Sequence, residues 1–357
     1  MRSAWNGGGL MRSDEVRALL PDEVRPTFDG IVDQSILGAS RHISLIGEMI
    51  EATARAGVEA GKPSVDIVRD VKKVARFFIA TRGAASQAVS NAVLIMIRGI
   101  DTCAHLDPFD AAARIVAAKD AYAAQAADAI AACVGYAAEL ARPMKRIFVY
   151  DYSSTVEKFL RAIASDGARE VVIPESRIID GGKPFVRVCQ ESGHAVTFIP
   201  EAAMMCFLRD CDAAFMGAET FFPDGTGFNT TGSDIVGVLC GHLGVPLYFL
   251  TPLIKLDLRP VYGGHKRLVY DDLTEKLSAD WGEGLAREGV DFTVPELVGV
   301  PAGQIRAFVT ERGVIPAAQM FGPAMEYSAY LHERVDFGAQ APSVDRIDSS
   351  DRAKGRV

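Results

Sequence analysis

The chain reads as an α/β protein, a helical N-terminal domain followed by a Rossmann-like domain built on a mostly parallel sheet. Two observations predict this. From Phe28 to about Met144 apolar residues recur at helical spacing, and beyond Arg142-Pro143 short β-branched or aromatic runs alternate with helical segments. A third concerns Cys211–Asp257, which runs in the order buried strand, carboxylate, tight turn, helix and second buried strand, an order that builds a ligand site beyond the strand ends of an open sheet. At 357 residues, 49% hydrophobic and 24% charged, the chain is long enough for two such units.

In the first half, Ile43, Ile46 and Ile50 share one helical face, as do Ile67, Val71, Val74 and Phe77 or Phe78. Gly61-Lys62-Pro63-Ser64 breaks the first two long helices, because Gly and Pro interrupt the backbone bond pattern. Asp107–Ala141 reads as one Ala-rich helix entered through Pro108. In the second half, Arg146–Tyr152, Glu170–Pro174, Ala195–Pro200, Ala213–Ala218 and Pro246–Thr251 are the strand candidates, with Phe292–Pro295 and Ala307–Thr310 as the last extended pieces. Their alternation with helices implies right-handed crossovers and helices on both faces. The expected division is a partly disordered leader over 1–27, the helical domain over 28–144, the sheet domain over 145–337 and a polar, disordered tail over 338–357. The leader is Gly-rich up to Leu10, and Met11 is an alternative start.

Composition narrows the partners. A formal charge of -8 argues against broad nucleic-acid binding, which needs clustered Lys and Arg. No apolar stretch approaches the roughly 20 residues that span a bilayer, and no secretory signal is legible, so a cytoplasmic protein is expected. The cysteines Cys103, Cys133, Cys189, Cys206, Cys211 and Cys240 form no CxxC pair, and none of the histidines stands at metal-ligand spacing. No metal is expected. Gly181-Gly182 and Gly263-Gly264 read as turns and do not form a dinucleotide fingerprint, so no cofactor is expected either.

The chemistry concentrates at predicted strand ends. Glu219 leaves the Ala213–Ala218 strand, and Asn229 to Ser233 are expected to open a helix that stops at Gly244. Ser153 and Ser154 begin another helix after the first strand. Helix N-termini carry free N–H groups and partial positive charge, so the two starts together suit a phosphate. Arg41, Arg82 and Arg177 supply guanidinium groups that can grip phosphate oxygens bidentately, and Lys255 follows the Pro246–Thr251 strand on the same edge.

Several segments resemble the superfamily that joins methylthioribose-1-phosphate isomerases, ribose-1,5-bisphosphate isomerases and the alpha, beta and delta subunits of initiation factor 2B. Glu175-Ser176-Arg177 with Gly182 resembles its Glu-Thr/Ser-Arg motif, and Met216-Gly217-Ala218-Glu219 its Gly-Ala-Asp/Glu strand end. Asn229-Thr230-Thr231-Gly232-Ser233 is similar to Asn-Lys-Ile-Gly-Thr, and Thr310-Glu311-Arg312-Gly313 to Thr-Glu-x-Gly. Gly38-Ala39-Ser40-Arg41 and Arg82-Gly83-Ala84 are similar to shorter glycine- and arginine-bearing signatures, which puts Gly38 and Ala39 among the phosphate-site candidates with Asn229 and Thr230. The chain departs from the isomerases where their Thr-His-Cys stands: here the stretch is Tyr150-Asp151-Tyr152-Ser153-Ser154. Position 230 carries Thr in place of Lys, and Leu37 stands in place of Arg.

The resemblance implies an isomerase interconverting an aldose 1-phosphate and a ketose 1-phosphate of pentose or thiopentose type. Glu219 is then one acid/base group, and Asp151 or Tyr152 the other. The alternative is a noncatalytic protein that senses a sugar phosphate or nucleotide, similar to the initiation-factor subunits. A homodimer or higher homo-oligomer is implied in either case.

Overall fold

The computed structural model describes residues 11–36, 38–266, 269–282 and 284–332. The Gly-rich leader through Leu10 and the tail from Gly338 lie outside them. The helical part contains α1 (Ser13–Arg17), α2 (Arg25–Val32), α3 (Ala39–Glu59), α4 (Ser64–Ala85), α5 (Gln87–Met96) and α6 (Pro108–Ala141). The predicted break at Gly61–Ser64 separates α3 from α4, and the predicted long helix is α6, with Asp107 accepting from the N–H groups of Phe109 and Asp110. Val16, Phe28, Ile46, Ile50, Val71, Val74 and Phe78 are fully buried in one cluster. At its centre Phe28, Phe77 and Phe78 meet with centroids 5.3 to 5.7 Å apart, close enough for edge and tilted ring contacts.

The sheet part begins at β1 (Arg146–Tyr150) and continues through β2 (Glu170–Pro174), β3 (Ala195–Ile199), β4 (Ala213–Gly217), β5 (Thr220–Phe221), β6 (Gly227–Thr230), β7 (Leu247–Leu250), β8 (Tyr270–Asp272), β9 (Thr293–Pro295), β10 (Leu297–Val300), β11 (Ala307–Thr310) and β12 (Gly313–Pro316). The main sheet has the order β12-β11-β7-β4-β1-β2-β3, parallel throughout except for the β11–β12 edge pair. Its helices are α7 (Ser154–Ile163), α8 (Lys183–Glu191), α9 (Met204–Leu208) and α10 (Ser233–Leu243). Further on come α11 (Thr274–Leu277) and α12 (Phe321–His332). The α/β class and the mostly parallel sheet read from the sequence are both present.

Alternation along the strands builds a core on each face of the sheet. Phe148, Tyr150, Met216, Phe249 and Phe308 pack on one side, while Ile147, Val149, Phe215, Tyr248 and Val309 pack on the other. Helix α6 belongs to two cores at once. Its first half, with Ala111, Ile115 and Tyr122, closes the helical cluster, and Cys133, Ala137 and Ala141 pack on the sheet, where the Cys133 thiol donates to Val309 O at 2.9 Å.

The strand order reverses between β1 and β4, where the crossovers from β1 run one way across the sheet and those from β4 the other. Such a switch point leaves a crevice beyond the carboxyl ends of the two strands, because their connecting loops separate there. A small antiparallel sheet, β10-β6-β5, stands over this edge. The sequence expectation differs here: Asn229 and Thr230 are strand residues paired with Val298 and Leu297, and the helix begins later, at Ser233. Pairing with a strand almost 70 residues downstream outweighs a local pattern that also suits a helix start.

Candidate functional site

Asp151 follows β1 at the switch point and is 3% exposed, in the left-handed region at φ 58°. Its carboxylate accepts from Ser176 Oγ at 2.9 Å and from Thr230 Oγ1 at 2.8 Å, both themselves buried. Burial pushes its pKa up, because a desolvated carboxylate is unfavourable, and the two hydroxyls together with the Tyr152 N–H offset part of the rise. Ser176 and Asp180 also have positive φ, 47° and 56°. Three of these unusual backbone positions therefore surround one carboxyl group, a concentration that points to a functional loop. A Cβ on Gly181 would run into Asp151 Oδ1, and one on Gly182 into Pro174 O, so this pair of glycines lets the Ser176–Gly182 loop close over Asp151.

The neighbouring strand end supplies Glu219. Its N–H donates to Phe228 O at 2.8 Å, so its backbone lies against the start of Asn229, and its side chain is half-exposed. Lys255 Nζ donates to Ala218 O at 2.6 Å, and Thr220 Oγ1 donates to Lys255 O at 2.9 Å, which fastens the β7 exit loop to the end of β4. Asn229 Nδ2 donates to Ser233 Oγ at 3.1 Å. Tyr150 OH donates to Thr231 O at 2.9 Å, and a Cβ on Gly232 would meet that hydroxyl, so a glycine with φ 101° is required where α10 starts. These contacts bring the β1, β4 and β6 ends together.

The remaining sequence candidates divide. Ser153 caps α7 and accepts from Val156 N at 3.5 Å, beside Gly217, while Ser154 is exposed on the first turn. Tyr152 turns away from the crevice: it is 41% exposed, its hydroxyl donates to Glu157 Oε2 at 2.8 Å and its ring lies 5.6 Å from Phe185. Alternation at the strand exit sends Asp151 inward and Tyr152 outward. Arg177 is exposed, with its backbone N–H held by Glu201 Oε1 at 2.9 Å, so Ser176 is the member of that motif that reaches the buried cluster. Gly38, at φ 97°, is the N-cap of α3, Ala39 begins that helix, and Arg41 is exposed on its first turn. Arg82 is half-buried near the end of α4 and donates to Val32 O at 3.4 Å, close to the segment that leads into Gly38; burial lowers its pKa.

Two side chains, Asn91 and Arg259, bond the helical part to this edge. Asn91 Nδ2 donates to Ile254 O and Leu256 O, each at 2.9 Å, and Arg259 Nη1 donates to Ala84 O at 3.0 Å. Arg259 also pairs with the fully buried Asp257 through its Nε and Nη2, the latter at 2.7 Å. Sequence reasoning missed Asn91, Arg259, Lys266 and Glu296, the last two lying near Glu219 and influencing each other electrostatically. The Asp-x-Arg spacing at 257–259 is a local signal for the bidentate pair, whereas Asn91 has none. Among the described residues no group of three His, Cys, Asp or Glu side chains is arranged to hold a metal ion, and no helix is long and apolar enough to cross a membrane.

Comparison with known proteins agrees with this architecture. The family model described as the initiation factor 2 subunit family matches residues 42–317. The chain is 29% identical over 160 residues to methylthioribose-1-phosphate isomerase of Syntrophotalea carbinolica, an alignment covering 44% of this chain but only 46% of that protein. It is 25% identical over 300 residues to ribose 1,5-bisphosphate isomerase of Haloterrigena turkmenica, covering 81% of this chain and 89% of the relative. Its fold is similar to the crystal structure of 5-methylthioribose 1-phosphate isomerase from Pyrococcus horikoshii, with a TM-score of 0.68 at 18% identity over 87% of this chain and 92% of the other. With more than three quarters of its length matched in one continuous span, the chain belongs to the initiation factor 2 subunit family.

Proposed function

We propose that this protein is a sugar-phosphate isomerase that interconverts an aldose 1-phosphate and a ketose 1-phosphate of pentose type in the crevice beyond β1 and β4. The observation that carries the reading is the pair of carboxyl groups at the switch point, Asp151 buried with a raised pKa and Glu219 half-exposed on the next strand end. The names of the relatives point to the same substrate class.

The reaction requires C1 to be reduced and C2 oxidised with no net change. The ring oxygen takes a proton as the ring opens, the C2 hydrogen moves with its electron pair to C1, and the O2 proton leaves to give the ketone. A carboxyl group whose pKa burial raises holds a proton to higher pH than an exposed one, and on that ground Asp151 is assigned as the proton donor of the first step. Glu219 accepts the O2 proton. Ser176 and Thr230 position Asp151, and Arg82, Lys255, Asn229 and the first turns of α3, α7 and α10 are the phosphate-side candidates, with Gly38, Ala39, Ser153 and Ser154 at those helix starts. Arg177 and Arg41, both exposed, lie outside this core assignment.

One observation favours a second reading, a noncatalytic sensor of a sugar phosphate or nucleotide: both Asp151 oxygens are already bonded and the group is nearly closed to solvent. Incubation with ribose 1-phosphate, ribose 1,5-bisphosphate and methylthioribose 1-phosphate, with ketose formation followed by NMR, separates the two. Turnover with one of them, abolished in Glu219→Gln, is expected; binding without turnover replaces the isomerase by the sensor. We further propose a cytoplasmic homo-oligomer. The exposed apolar side chains Ile235 and Val238 on α10 support self-association, and sedimentation at a monomer's mass would remove that part.

A further inference from the structure

The substrate class proposed above is anionic, and most cations at the crevice already have partners. Arg259 is bound to Asp257, and Lys255 donates to Ala218 O. Lys266 differs. It is half-buried on the loop that follows Gly263-Gly264, with its ammonium 5.9 Å from the centroid of the Phe228 ring, and among the described residues no carboxylate lies within 4.0 Å of it. Phe228 O is the acceptor of the Glu219 N–H, so Lys266 stands over the strand that borders both Glu219 and Asn229. The groups that act on it are Arg259, Asp257, Glu219 and Glu296. Burial and Arg259 lower its pKa, and the three carboxylates offset only part of this.

Arg259 also anchors the loop that carries Lys266. Gly264 N donates to Arg259 O at 2.8 Å, two residues before Lys266, and Arg259 Nη1 donates to Ala84 O, two residues after Arg82. One arginine therefore ties down the segments carrying the two half-buried cations, Arg82 from the helical part and Lys266 from the sheet part. Neither has a carboxylate partner at ion-pair distance among the described residues, and a desolvated cation without one is costly unless an anion joins it.

We propose that Lys266 is a substrate-binding residue that contacts the phosphate of the sugar phosphate from the sheet side of the crevice. The assignment rests on the sugar-phosphate reading of the same site. It supplies from the 263–266 loop the positive charge that position 230 lacks, because Thr230 is engaged with Asp151.

The test uses the full chain with Lys266→Met, which keeps the length of the side chain, and Lys266→Arg, which keeps its charge. Inorganic phosphate, ribose 1-phosphate and ribose are titrated by calorimetry, and turnover is measured on the isomerised substrate. Loss of one charge-assisted contact is expected to weaken ribose 1-phosphate and phosphate binding by about 10- to 100-fold in the Met variant. The Arg variant should stay within about threefold of wild type, on the same scale of tenfold per 1.4 kcal/mol. Ribose binding and the thermal midpoint without ligand should not move. A Met variant that binds ribose 1-phosphate as wild type does, or a wild-type protein that binds neither phosphate nor ribose 1-phosphate, overturns the assignment. Weakened binding with no turnover in any variant supports Lys266 while rejecting the isomerase, and turnover untouched in the Met variant does the reverse.

Discussion

Replacing Asp151 by Asn tests whether burial raises the pKa of this carboxyl and whether the proton it holds is used in chemistry. Asn has nearly the same shape, tolerates the left-handed backbone at φ 58° and leaves an oxygen for one of the two hydroxyls, while the other hydroxyl can rotate to accept from the amide. Because burial raises the Asp151 pKa above its unfolded value of 3.8, the favourable contribution of the neutral acid is complete below about that pH and is lost as pH rises through the folded value. Asn cannot ionise, so its stability relative to wild type should improve between pH 4 and pH 8. Asp151→Ala instead leaves the Ser176 and Thr230 hydroxyls without their acceptor, at about 1–3 kcal/mol each, and adds about 1 kcal/mol for a left-handed Ala, about 3–7 kcal/mol in all. Urea unfolding at the two pH values reads these differences. If Asp151 is the proton donor, the Asn variant should lose about 10²- to 10⁴-fold in kcat while staying folded. An Asn variant whose stability relative to wild type does not improve between pH 4 and pH 8 refutes the raised pKa, and one that turns over at the wild-type rate refutes the role of Asp151 in proton transfer.

Gly181→Ala pushes a methyl group into Asp151 Oδ1, so kcat should fall at a stability cost of about 1–3 kcal/mol, measured by parallel assay and melting; an active variant would show that the loop yields. Arg259→Ala strands the fully buried Asp257 and should cost about 3 kcal/mol, much of it recovered by the double variant Asp257→Asn, Arg259→Ala, as chemical denaturation of both will show. Among the six thiols, the exposed Cys206 should take up a maleimide rapidly under native conditions, whereas Cys133, buried with its pKa pushed up to about 12, should react only on unfolding, a difference read by peptide mass spectrometry.

The parallel strands were legible because a strand covered on both faces is a short apolar run, and Ala307–Thr310 and the long helix α6 appear with the bounds the pattern suggests. The Gly227–Thr230 strand was not legible, since its partners Leu297–Val300 are distant in sequence and its Gly, Asn and Thr suit a helix start equally well. The same physics governs the site. Glu219 stands out at the end of an apolar strand, but Asp151 looks like a turn residue until Ser176, 25 positions on, and Thr230, 79 positions on, close over it. Tyr152, by contrast, looked equal to Asp151 as an acid/base group until the strand exit set the two side chains on opposite sides.

The double membership of α6 sets an order of events during synthesis. Its first half meets its partners as soon as the preceding helices have emerged, but the partner of Cys133 on β11 lies 176 residues downstream. The second half packs against β1 and α7, which follow it directly, but at ribosomal speeds of about 5–20 residues per second its contact with β11 waits on the order of 10–35 s. During that interval the β11-facing side of the helix at Cys133 stays uncovered, and the helical part can fold early while the sheet part cannot finish until β11 arrives.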